Sequence, residues 1–136
     1  MAANTSPIYT LTPQSSFGTS ITTANTNMDG TGTQVTLFTA GTNGAYVSKV
    51  IVRAQGSNTA TVLRIFLNNG SDHTTASNNA LIAELSMPTT TASNTVALPS
   101  FEIPLGFAIT GGYLLNAAIG TTVSAGVICT VIAGNY

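Results

Sequence analysis

Val50-Ile51-Val52-Arg53-Ala54-Gln55-Gly56-Ser57-Asn58-Thr59-Ala60-Thr61-Val62-Leu63-Arg64-Ile65-Phe66-Leu67, residues 50–67, decides the fold. Before Gly56, Val50, Val52 and Ala54 share one face, and Ile51, Arg53 and Gln55 the other. After Asn58, Thr61, Leu63, Ile65 and Leu67 oppose Val62, Arg64 and Phe66. A period of two is the mark of a strand with one buried face. The reading predicts strands over Tyr46–Gln55 and Thr59–Leu67, joined by a short Gly-containing loop as a hairpin.

The same pattern spreads outward. Thr33–Thr39 and Leu81–Met87 alternate, and Pro88 stops the second. Thr95–Leu98 reads as a short strand before Pro99. Phe101–Gly106 contains Pro104 and reads as an edge strand or a turn. Tyr113–Ile119 is the one stretch with a helical alternative, kept short by Gly111-Gly112 and Gly120. Gly126–Ala133 is apolar on both faces, which suits an interior strand. Residues 68–79 are polar and read as an exposed loop. The expected fold is all-β, a β-sandwich or jelly roll of about seven or eight antiparallel strands with turns at roughly ten-residue spacing.

Residues 33–136 form this domain in the reading. Residues 1–32 hold few large apolar groups, among them Ile8, Tyr9, Leu11, Phe17, Ile21 and Met28. Such a stretch buries too little to hold itself together. It is expected to be an extended or partly disordered N-terminal arm that orders against a neighbour.

Charge is scarce. The chain has three Lys or Arg and four Asp or Glu in 136 residues, so 5% is charged against 43% hydrophobic. A typical globular chain is about 25% charged. A free monomer relies on mixed surface charge for solubility, so this surface suits burial in an assembly. Three cations make no phosphate-binding stripe, so no nucleic-acid partner is expected. Neither an electrostatic membrane binder nor a bilayer span is expected. The start lacks the basic and apolar regions of a secretory signal, which points to synthesis as a soluble cytoplasmic product.

Candidate chemistry is thin. His73 is the single histidine, and a Ser71-Asp72-His73 triad is poor because adjacent residues point different ways. Zinc lacks its ligands. A calcium site at Asp29 or Asp72 with Asn and backbone oxygens is a minor reading, since neither is read as showing the alternating Asp/Asn spacing of a calcium loop. Glu84 and Glu102 are the only carboxylates that suggest an acid–base pair. Cys129, in an apolar run, reads as a small buried hydrophobe. No phosphate loop is present, and no catalytic residue, metal or cofactor is expected. Arg53 and Arg64 fall on the two arms of the expected hairpin, with Glu84 as their natural partner. They are expected to form cross-strand or inter-subunit ion pairs.

Residues 50–70, Glu102-Ile103-Pro104-Leu105-Gly106 and Gly112-Tyr113-Leu114-Leu115-Asn116-Ala117-Ala118-Ile119-Gly120-Thr121-Thr122 together resemble small β-sandwich structural proteins of tailed bacteriophages, of the capsid decoration (cement) type. The resemblance covers residues 33–136 and assigns no functional residues. It implies a non-enzymatic virion protein on the capsid surface, with itself (a homo-oligomer, a trimer being one such state) and a major capsid protein as partners. The alternatives are a tail, fibre or adhesin-type module that recognises a host surface, and a self-polymerising filament subunit. An enzyme ranks last.

Overall fold

The computed structural model describes residues 9–136. Eight strands follow in chain order: β1 (Thr12–Phe17), β2 (Val35–Thr39), β3 (Ala45–Ala54), β4 (Thr61–Asn68), β5 (Asn79–Met87), β6 (Ser100–Ile109), β7 (Leu114–Ile119) and β8 (Val127–Asn135). One turn of 3-10 helix, Ala76–Asn78, precedes β5. Sheet A has the order β1-β8-β3-β6, and sheet B the order β2-β7-β4-β5.

The pairing has a simple logic. β1 pairs with β8, β2 with β7, β3 with β6 and β4 with β5, all antiparallel. The chain is therefore a long hairpin with its tip between β4 and β5. Two further pairings, β3 with β8 and β4 with β7, roll it into two four-stranded sheets. That is the jelly roll, a double-sheet solution built from two Greek keys.

Period-two patterning fills the space between the sheets. Val47, Val50 and Val52 of β3 and Cys129 and Val131 of β8 face Leu63 and Ile65 of β4 and Leu115, Ala117 and Ile119 of β7, all of them fully buried. Each Val, Leu or Ile among them gains roughly 1.5–3 kcal/mol by leaving water.

Several expectations need correction. The predicted hairpin does not form, because β3 belongs to sheet A and β4 to sheet B. Asn58 explains this. Its Nδ2 donates to Gly126 O at 2.8 Å and its Oδ1 accepts from Ala125 N at 2.8 Å. Thr90 Oγ1 donates to Gly56 O at 2.7 Å. These bonds tie the turn to two remote loops and make it a corner between the sheets. Thr95–Leu98 is not a strand, since β6 starts at Ser100. Tyr113–Ile119 is not helical; its core is β7, between β2 and β4.

The expected arm over 1–32 also changes. Residues 12–17 are β1, paired along their length with β8. Ser16 Oγ donates to Leu37 O at 2.7 Å, stitching β1 to β2. Backbone bonds, not apolar side chains, hold this strand, so hydrophobic content alone does not reveal it. Residues 1–8 of that arm lie outside the described residues.

Candidate functional site

The two outer faces of the sandwich are unlike. On sheet B, Phe66 and Asn116 are register partners that point away from the core, as does Ala118 opposite Arg64. Yet Phe66 is 0% exposed, and Asn116, Ala118 and Asn68 are buried too. The chain's own segment 24–33 covers them. Asn25 N donates to Ile119 O at 2.7 Å at one end of β7. At the other end of the crossing, Gly30 lies against Asn79, where any Cβ would collide with the Asn79 side chain. Gln34 Nε2 donates to Gly30 O and closes the segment back onto β2.

Within this cover, Asn25, Asn27 and Asp29 alternate ahead of Gly30, a spacing shared with calcium loops. The expectation that Asp29 lacks this spacing is therefore corrected. The structure gives it another use. Asn25 Nδ2 donates to Thr31 O at 2.8 Å and to Thr33 O at 2.7 Å, so an amide occupies the carbonyls a cation would need. Asp29 Oδ1 accepts from Thr31 N at 3.0 Å and Thr31 Oγ1 at 2.6 Å. These bonds hold the Asp29 carboxyl below its ordinary pKa. Among the described residues no three His, Cys, Asp or Glu side chains cluster.

Sheet A has no such cover among the described residues. Register fixes its outer face row by row across β1, β8, β3 and β6. One row is Phe17, Thr130, Ile51 and Glu102, and the next is Ser15, Ile132, Lys49 and Pro104. Ile128, Arg53 and Ser100 complete the end. Phe17 is 69% exposed. Lys49 Nζ donates to Glu102 Oε1 at 2.9 Å, while Arg53 is exposed with no ion-pair partner among the described residues.

The candidate residues separate accordingly. Arg64 and Glu84 are register partners on the outside of sheet B, with Nε 2.9 Å from Oε1. Arg53 stands on the outside of sheet A, so the sandwich lies between it and the other two. Glu84 and Glu102 likewise point away from each other on opposite faces, which removes them as an acid–base pair. No hydrogen bond among the described residues joins the side chains of Ser71, Asp72 and His73. Asp72 Oδ1 instead accepts from Thr74 N at 3.0 Å, which holds its carboxyl below the ordinary pKa. Cys129 is buried, and desolvation pushes its thiol up to about 12.

Two depressions accompany these faces. A groove of about 760 Å³ opens where the edges of the sheets meet, lined by Phe17, Ser20, Gln34 and Ile128 among others, with no ionisable side chain. A second, of about 410 Å³, lies over Arg64, Ser86, Gly120 and Thr121. Here the guanidinium leans over Gly120, and Nη1 is buried without a partner. One cation with the hydroxyls of Thr61, Ser86 and Thr121 can attract an anionic group, but it offers no nucleophile–base pair.

The four edge strands are all interrupted. β1 carries Pro13 and β6 carries Pro104. β2 and β5 each contain the extra residue of a bulge, at Leu37 and Ile82, and β6 has a further shift at Gly106. Prolines and bulges are the devices by which sheets refuse another strand. No family model, curated protein or solved structure matches the chain.

Proposed function

We propose that this chain is a non-enzymatic structural protein of a virion, a capsid decoration subunit that docks on a shell and on copies of itself. The observation that carries the reading is the outside of sheet A. It is broad, apolar through Phe17, Ile51, Ile128 and Ile132, carries Lys49, Arg53 and Glu102, and has no cover among the described residues, while the chain's own segment crosses part of the outside of sheet B. Docking such a face removes apolar surface from water, and the few charges it covers can be met by opposite charges on the partner. Jelly rolls serve capsid proteins, lectins and cupins alike, so the fold agrees with the reading without selecting it. The interrupted edges favour docking through faces over a filament built by strand insertion.

The test is direct. Purified protein is mixed with phage particles stripped of their outer proteins and banded on a density gradient. Co-migration, with cryo-electron microscopy density for an eight-stranded sandwich on the shell, is the expected result. Protein that stays at the top of every gradient overturns the reading.

A second reading has one observation of its own. The 760 Å³ groove sets Phe17 beside Gln34 and Ser20, an aromatic ring next to an amide and a hydroxyl. That combination suits a glycan on a host surface. A glycan array with a hit abolished by Phe17→Ala would favour this adhesin-type function.

A further inference from the structure

We propose that the outer face of sheet A is a two-fold self-association surface on which Arg53 of one copy meets Glu102 of a second copy. The inference rests on the assembly reading above and adds the partner and the contact.

Charge complementarity leads to it. Between β3 and β6, Arg53 pairs in register with Ser100 and Ile51 with Glu102, so Glu102 is diagonal to Arg53. It is also diagonal to Lys49, and it takes Lys49 through Oε1 at 2.9 Å. The Glu102 side chain is 56% exposed, and no hydrogen bond among the described residues involves its Oε2. Arg53 has five N–H donors and no carboxylate to meet them among the described residues. The remaining acidic residues are committed elsewhere. Asp29 and Asp72 cap turns, and Glu84 holds Arg64 on the opposite side of the sandwich. Residues 1–8 contain no Asp or Glu.

A two-fold axis lying in the interface, parallel to the sheet, makes the face its own complement. Each copy then offers an unpaired guanidinium and a half-used carboxylate, and receives the same in return. Phe17, Ile51, Ile128 and Ile132 supply apolar contact around these charges. Four strands of six to ten residues, about 4.8 Å apart and about 20–34 Å long, present at most roughly 600 Å² per copy. Two copies then bury at most about 1,200 Å², the lower bound of a stable specific interface.

Charge reversal with cross-rescue tests this. The full chain is run by sedimentation velocity up to about 100 μM, where an interface of this class is well populated. Wild type is expected to associate. Arg53→Glu and Glu102→Arg, each alone, place like charges at both symmetry-related contacts. Each should raise the self-association Kd at least about a hundredfold. In an equimolar mixture of the two variants every contact is again Arg against Glu, and the dimer should return. Loss of one copy's fold cannot produce that rescue. Should either reversal fold poorly, Arg53→Gln and Glu102→Gln are the milder substitutes and must weaken association in the same direction. Wild-type association unaffected by these changes, or absence of rescue, overturns the face and leaves the assembly reading standing. A wild type that is monomeric throughout also overturns the self-association surface, and the particle-banding experiment then judges the assembly reading alone.

Discussion

Arg64 and Glu84 stand opposite each other across the β4–β5 pair, with Arg64 Nε donating to Glu84 Oε1 at 2.9 Å. The partners are unequally buried: the Arg64 side chain is 14% exposed and that of Glu84 44%. Removing Glu84 strands a nearly dry guanidinium, so Glu84→Ala should lower the unfolding free energy by about 1–3 kcal/mol. Arg64→Met keeps the apolar stem and returns Glu84 to water, so it should cost less than about 1 kcal/mol. Urea unfolding of both variants checks the order. Equal losses would mean that burial of Arg64 is unimportant.

Gly30 and Gly112 form a natural control pair. Both have positive φ, 80° and 79°. A Cβ at Gly112 meets nothing within 4 Å, whereas one at Gly30 meets Asn79. Gly112→Ala should cost about 1 kcal/mol, the backbone term alone. Gly30→Ala should cost distinctly more, because segment 24–33 must also lift from β5. Thermal unfolding of the pair measures the difference, and matching shifts would show that the segment is not seated.

Two phenylalanines lie on outer faces with opposite fates. Phe66 is 0% exposed beneath the segment, and Phe17 is 69% exposed. Phe66→Ala should cost about 3–5 kcal/mol. Phe17→Ala should stay within about 0.5 kcal/mol in the monomer. Chemical denaturation at low protein concentration distinguishes them.

Two turns contribute to the acid limb of stability. Asp29 and Asp72 have pKa values lowered in the fold by hydrogen bonds from Thr31 and Thr74. A depressed folded pKa stabilises above the unfolded value of 3.8 and is lost as pH falls through the folded one. The amide resonances of Thr31 and Thr74 should therefore shift with midpoints below pH 3.8. A midpoint at or above that value would exclude these bonds in solution.

Cys129 should be inert to disulfide reagents in the native protein. Burial moves its thiol from 9.0 to about 12, so the reactive thiolate is scarce at neutral pH. Because the folded pKa is raised, the associated stability is complete below pH 9 and is lost between there and about 12. Labelling should proceed at the rate of unfolding and become immediate in denaturant. Fast native labelling would contradict the burial.

The sequence alone carried most of the strands, though it missed β1 and added a strand at Thr95–Leu98 that does not form. Alternation at Val50, Val52 and Ala54, and at Leu63 and Ile65, is local information, and the side-chain period of an extended chain follows from backbone geometry. It also carried the interior place of β8, whose apolar residues occupy both faces, and the edge character of β6, marked by Pro104. The charge poverty that motivates an assembly was equally legible.

Only the tertiary structure decided which strands meet. The turn at residues 56–58 looks like a hairpin from its neighbours, but Asn58 bonds to Ala125 and Gly126, far away in sequence. No local pattern encodes such a bond. The same holds for the site. Arg53, Arg64, Glu84 and Glu102 alternate alike in sequence, yet the roll of the long hairpin turns Arg53 and Glu102 to one side and Arg64 and Glu84 to the other. Periodicity states that a residue faces outward. Which outside it faces, and whether the chain's own segment already covers that side, depends on long-range pairing.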